Sequence, residues 1–405
     1  MTVEVTVGFM PLLDSAILIV AHAKNFAEAE DIRLSLKRET SWASIRDRMA
    51  VGQFDAGHML GPMPIACNLG MTPLAAPTIV PMALGLGGNA VVVSNSLWDA
   101  MANEGARADL KPAAAGRALQ AVLANQRDRG LAPPRFGVVH PHSGHNYELR
   151  YWLAACGVDP ERDVEIVILP PPLMADAMAA EHIDGYCAGE PWNTAAVAEG
   201  VGHIVTVKAA IWKSSPEKVL GVSERWAGGN PDALERLLRA LYRSAEWCAQ
   251  SDNHAELAGL LGSPHYVDCP SDWLKPALSG EIQTGAGAVS IADFFVPHAK
   301  AATFPWKSHA LWFYSQMVRW GQIAASAANA ETARATYRPD IYRAALKPLG
   351  VALPGANSKV EGALLSSTPV GSSGASLMLG PDGFFDGKVF DPEALDAYLT
   401  DPEGI

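Results

Sequence analysis

The sequence predicts an α/β protein built as two lobes. Strand and helix patterns alternate through the first 90 residues, and a second alternating block runs from about residue 113 to residue 192. The 405 residues are also too many for one small core, at roughly 100–200 residues per domain. With 49% hydrophobic and 18% charged residues the chain can bury sizeable cores, which excludes general disorder.

The elements follow in order. Val3 to Met10 alternates as a strand, and Ser15 to Asn25 carries Ile17, Leu18, Val20 and Ala21 at helical spacing. Ile32 to Glu39 returns to period two, and Trp42 to Val51 is helical with Ile45 and Met49 on its inner face. Asp55 to Leu60 reads as a short buried strand stopped by Gly61-Pro62. Thr78 to Val93 is apolar, β-branched and glycine-rich, which suits one strand crossing between lobes. The second block gives helices at Ala113–Gln126, Asn146–Cys156 and Met174–Glu181. Its strands are expected at Phe136–His140, at Val164–Leu169 and around Tyr186. A longer helix, Ala233–Ala249, has an apolar stripe through Leu237, Leu241 and Trp247. Ser366 to Gly380, rich in Gly, Ser and Pro, suits an extended wrapping segment or a partly ordered tail.

Charge and composition exclude several functions. Thirty-one Lys and Arg against 43 Asp and Glu give a net charge of −12, with no basic stripe, so direct nucleic-acid binding is not expected. No window approaches the roughly 20 uninterrupted apolar residues of a membrane helix. Five widely spaced cysteines without a CxxC pair read as buried small groups in a reducing compartment. The N-terminus has no basic region before an apolar stretch: Glu4 stands there, and the first basic residue is Lys24. This favours a cytoplasmic location.

Catalytic and cofactor motifs fail on context. GxSxG, HExxH and Walker A sequences are absent. Gly85-x-Gly87-x-x-Ala90 resembles a dinucleotide fingerprint, but Val91-Val92-Val93 follows where a helix must begin. His140-x-His142-x-x-His145 lacks metal-ligand spacing and has no acidic or Cys partner, so no metal is expected.

The remaining signals suit a small ligand. Ser41 is placed to cap the helix that Trp42 opens, where free amides could face an anion and the indole could wall a site. A core Trp under a loop fits equally well. His145 opens another helix and could donate to an anion, or could be a structural histidine. Pro170-Pro171-Pro172 ends a strand rigidly, at the strand end where α/β folds bind ligands. Lys218, in Ser215-Pro216-Glu217-Lys218, would ordinarily be a solvated surface charge.

Longer motifs join these signals. They are Gly8-Phe9-Met10-Pro11-Leu12-x-Asp14, Ser41-Trp42-x-x-Ile45-Arg46-Asp47 and Asp55 through Pro64. Further on come Arg150 through Ala155, Gly189-Glu190-Pro191-Trp192-Asn193, Pro216-Glu217-Lys218 and Phe384-Phe385-Asp386-Gly387-Lys388. In this order they resemble the nitrate, nitrite and bicarbonate substrate-binding proteins of ABC transporters. The resemblance implies a type II periplasmic-binding-protein fold, with two α/β lobes, two crossover strands and an anion in the cleft. Lobe I would comprise 1–90 and 210–405, including the C-terminal helices and wrapping tail, and lobe II would comprise 91–209.

The same resemblance implies that Trp42 walls the pocket and His145 hydrogen-bonds the anion. Pro171 and Ala188 would shape its apolar side, Glu190 would belong to the site, and Lys218 would supply positive charge. Gly85 and Asn89 match the glycine-rich crossover, where nitrate binders carry a longer amide side chain. Lys218 favours nitrate or nitrite, since bicarbonate binders look acidic there and recruit a metal. Because the chain begins at its first strand, it is most similar to the cytoplasmic nitrate sensors of the NasS kind. These would control an ANTAR-type RNA-binding antiterminator (NasT-like), without enzymatic activity or cofactor. The alternative is the substrate-binding component of a nitrate/nitrite transporter.

Overall fold

A computed structural model describes residues 2–373 and 376–400 of the chain. Along the chain come β1 (Val3–Phe9), β2 (Ile32–Arg38), β3 (Ala56–Leu60), β4 (Thr78–Ala83), the two-residue β5 (Leu86–Gly87) and β6 (Asn89–Ser94). They are followed by β7 (Arg135–Val138), β8 (Glu165–Ile168), β9 (Gly185–Gly189), β10 (Gly202–Val207) and β11 (Lys218–Ser223). One five-stranded sheet has the order β2-β1-β3-β11-β4, the other β10-β6-β9-β7-β8. The chain thus passes between the sheets twice, once between β4 and β6 and once between β10 and β11. Two α/β lobes with two crossovers result.

Each lobe follows from its pattern. β1 and β2 pair in parallel from Val3↔Ile32 to Phe9↔Arg38, joined by the helix Ala16–Ala23. Residues 16–21 of that helix are all buried, so it is apolar all round and serves as a core rod. The amphipathic helix Pro231–Cys248 lies against it, burying Leu234, Leu237, Leu238, Leu241 and Ala245 at helical spacing. Trp247, expected on that stripe, is only half-buried and lies beneath Lys24, whose Nζ is 5.0 Å from the ring.

The largest departure from the sequence pattern is at the first crossover. Thr78–Val93 is not one strand: β4 belongs to the first sheet and β6 to the second, with Leu84–Gly88 between them. Gly85, Gly87 and Gly88 all take positive φ. At Gly87, φ is +71° and an added Cβ would lie 2.2 Å from the Phe294 carbonyl oxygen. Only glycine permits that passage.

The C-terminal segment is more structured than an extended wrap. Short strands Thr368–Val370, Ser372–Ser373 and Leu377–Leu379 occupy part of it, while residues 374–375 lie outside the described residues. Phe384 stacks on Trp212 of the second crossover at 4.6 Å and packs against Tyr151 and Trp312. The Tyr151 hydroxyl donates to Asp386. This segment therefore staples the second crossover to a helix of each flank.

Candidate functional site

Strand direction brings the expected residues to one place. In the first sheet, β1, β2 and β3 run parallel, and their C-terminal ends lead to Asp14, Trp42 and Gly61. β11 is antiparallel to β3, so its first residue, Lys218, pairs with Leu60 at that same edge. In the second sheet, β7, β8 and β9 end toward His145, Pro171 and Ala188. β6 begins there with Asn89 opposite Gly189. Both crossovers emerge from these facing edges, which is where open α/β sheets bind ligands.

A sealed ionic cluster fills the junction. Lys218, expected from its local sequence to be a solvated charge, is fully buried (0% exposed). Its Nζ donates to Asp14 Oδ2 at 2.7 Å and Glu217 Oε1 at 2.8 Å, and lies 5.3 Å from the centre of the Trp42 ring. Glu217 also accepts from Lys208, which faces Glu148 Oε1 at 2.8 Å. His58 Nδ1 accepts from the Met10 amide, so its Nε2 carries the proton toward Asp14 Oδ1, 3.1 Å away. The chain of charges runs Asp14, Lys218, Glu217, Lys208, Glu148, from one lobe through the crossover to the other.

Burial and charge set the protonation states. Burial pushes the Asp14 carboxyl up, but Lys218 and His58 outweigh it and hold the group at about 2. Glu217 is likewise pushed up by burial yet ends well below the usual range because the ammonium groups of Lys208 and Lys218 bracket it. Burial dominates at His145 and lowers the imidazole to about 3, against the opposing pull of Glu217. His145 is therefore a neutral group near pH 7 and not the charged donor that an anion site first suggests. Glu148 is raised by burial to about 7, opposed by Lys208.

Unmet hydrogen-bonding capacity marks the centre of this cluster. His145 is fully buried, its ring 6.3 Å from that of Trp42 and its Nδ1 3.4 Å from Glu217 Oε1, yet neither ring nitrogen makes a hydrogen bond among the described residues. Asn89 is fully buried with both amide atoms unpartnered among the described residues. An added Cβ on Gly189 would lie 3.1 Å from Asn89 Oδ1 and 3.6 Å from Asp14 Oδ2, so both side chains crowd one point. Buried polar groups are rarely left unpaired, and the lost bonds cost about 1–3 kcal/mol each. A small planar anion, all acceptor, suits the N–H groups of Lys218, Asn89 and neutral His145.

The other expected residues differ in placement. Ser41 caps the helix Trp42–Ala50 by accepting from the Ser44 amide at 3.1 Å, and Trp42 donates its Nε1 proton to the His58 carbonyl. Trp42 is therefore both core and wall. Pro171 is buried at the head of a one-turn 3-10 helix, and Ala188 is buried on β9. Gly85 faces Phe295 and Val296, so its part lies in letting the chain pass. Glu190 Oε2 accepts from the Thr194 amide at the start of the next helix, while Oε1 is unpartnered among the described residues.

Five members of the cluster carried no assigned role in the sequence reading. Asp14, His58 and Glu217 lay inside quoted motifs, which was the available signal. Lys208 and Glu148 had none, because each looks like an ordinary helical surface residue. A surface groove of about 990 Å³, lined by Asn68, Thr78, Lys307 and Arg338 among others, lies at the far end of β4 from this cluster.

Comparison with known proteins identifies the family and the fold. The NMT1-like family matches residues 1–262. The nitrate/nitrite binding protein NrtA of Synechococcus elongatus is 32% identical, with 98% of this chain and 85% of that protein covered. The nitrate import ATP-binding protein NrtC of Synechocystis is 34% identical over 86% of this chain, which spans 50% of that longer relative. The crystal structure of the periplasmic nitrate-binding protein NrtA from Synechocystis superposes with a TM-score of 0.85, at 27% identity and 98% coverage of both chains. The architecture is thus a periplasmic-binding-protein fold, and the NrtA relatives are binding proteins, not enzymes.

Proposed function

The chain belongs to the NMT1-like family, and we propose that it is the nitrate/nitrite-binding component of an ABC import system. The observation that carries this reading is the convergence of Lys218, Asn89 and His145 in a closed interlobe site, with unmet hydrogen-bonding capacity on the last two. Similarity to NrtA along nearly the whole chain supports the choice of ligand. Lys218 supplies the attraction, partly neutralised by Asp14 and Glu217, so the site takes a monoanion in place of a more highly charged ion. Ligand contacts drawn from both lobes stabilise the closed arrangement by their differential affinity for it.

Calorimetric titration with nitrate, nitrite, bicarbonate and sulfate tests the reading. Saturable heat with nitrate or nitrite and none with sulfate is expected. Binding of bicarbonate alone would shift the assignment to the other anion class of these transporters. The sensor expected from the sequence would use the same cleft and differ only in what reads its closure. Since the relatives above are transport proteins, the import reading stands first. Co-purification with an ANTAR-type antiterminator, abolished by nitrate, would reverse that order.

A further inference from the structure

The interlobe cluster holds more acids than bases. Asp14, Glu148 and Glu217 face only Lys208 and Lys218, with His58 and His145 both lowered toward neutrality by burial. All five charged residues are 4% exposed or less. Fully ionised, the cluster carries one excess negative charge before an anion arrives. A nitrate ion would make it two, without solvent to screen them. Uncompensated buried charge is among the costliest states a protein can hold.

We propose that nitrate enters this site together with one proton, and that Glu148 carries it. The proposal rests on the nitrate-binding reading above. The three acids are not equivalent. Asp14 faces Lys218 and His58, and Glu217 faces both lysines, so each is held as a carboxylate. Glu148 stands at the end of the chain of charges. Its Oε1 faces Lys208 and accepts from Ser215 Oγ at 2.7 Å, while Oε2 is buried without a partner among the described residues.

A proton on Oε2 removes a bare buried charge. It also frees Lys208 to offset Glu217, leaving more of the positive charge of Lys218 for the ligand. The groups facing Glu148 are Lys208 from the short helix Lys208–Ile211, Glu217 and Ser215 from the crossover, and the neutral thiol of Cys187 on β9. Its own helix adds His145. Burial has already raised Glu148 to about 7, so a second anion nearby raises it further. Uptake is then partial at pH 7 and approaches one proton per nitrate at pH 8, where affinity falls by up to about tenfold per pH unit.

Titration of nitrate into the protein at pH 8, in two buffers of different ionisation heat, counts the protons. The expected result is nearly one proton taken up by the wild type and almost none by Glu148→Gln, whose nitrate affinity stays flat from pH 7 to 8.5. Equal heats in both buffers for the wild type would overturn the proposal while leaving nitrate binding intact, whatever the variant does. Uptake that survives Glu148→Gln and disappears in Glu190→Gln would overturn the assignment to Glu148. Absence of any nitrate heat or thermal shift, even at pH 6, would bring down the nitrate reading and this inference together.

Discussion

Lys218 is held in place by two carboxylates, and that arrangement decides what its removal does. Lys218→Met leaves Asp14 and Glu217 facing each other without the cation between them, at a cost of about 3–5 kcal/mol in stability. Adding Asp14→Asn removes one of the stranded charges and should recover much of that loss in urea unfolding. Nitrate affinity should not recover: a charge-assisted hydrogen bond of about 1.5–3 kcal/mol is gone in both variants, tenfold or more in Kd. A double variant that binds nitrate like the wild type would remove Lys218 from the site. His145→Ala should weaken binding by about tenfold without changing its pH profile, because the imidazole acts as a neutral donor. Neither residue's role was legible locally. A lysine after Ser-Pro-Glu reads as solvated, and it is buried only because β11 returns between β3 and β4, some 140 residues away in sequence. The motif order of a family led to the expectation that both residues stand beside Trp42, where the fold places them; composition and periodicity could not do so.

Elements were more legible than side chains, and the one clear misreading has a physical cause. β1, β2, β3 and the helix Trp42–Ala50 lie within a residue or two of their expected limits, because period-two and period-3.6 burial leave direct marks on a sequence. Thr78–Val93 read as one strand because β-branched residues lie on both sides of its glycines. Those glycines are what separate the sheets. Gly87→Ala tests this: at φ +71°, with the Phe294 carbonyl 2.2 Å from the added carbon, the change should cost at least about 1–3 kcal/mol. Gly130→Ala, also at positive φ (+67°) but with nothing within 4 Å, should cost no more than about 1 kcal/mol. Equal losses in the two variants, measured by urea unfolding, would mean that backbone strain alone and not the close approach governs the crossover.

At the scale of the whole molecule, the buried histidines and glutamates set opposite limits on stability against pH. The net charge of −12 alone suggests that mild acid should help, by reducing self-repulsion. The interior argues otherwise. Burial lowers His140 and His145 from 6.5 to about 3, so each contributes stability that is present above 6.5 and lost as pH falls below it. At pH 5 that is about 2 kcal/mol for each, more than diffuse surface repulsion supplies. His58 and His309 are lowered as well and add in the same direction. Glu148 and Glu190 work from the other side. Burial raises both from 4.5 to about 7, so their contribution is complete below 4.5 and lost as pH rises through 7. Asp14 and Glu361, held at about 2, stay ionised throughout this range and do not move the optimum. Between 4.5 and 6.5 the two pairs therefore pull against each other, and thermal melts of the nitrate-free protein should rise only gently from pH 5 to a maximum near 6.5, fall slightly to about 7 and level off from there to 8.5. Glu148→Gln and Glu190→Gln should each steepen the rise from pH 5 to 6.5 and reduce the fall from 6.5 to 7, leaving the level region above 7 without a slope. A profile between pH 5 and 7 that neither substitution changes would show that these two carboxyls are ionised in the folded protein at neutral pH, and that the ionic cluster holds more negative charge than its two lysines can balance.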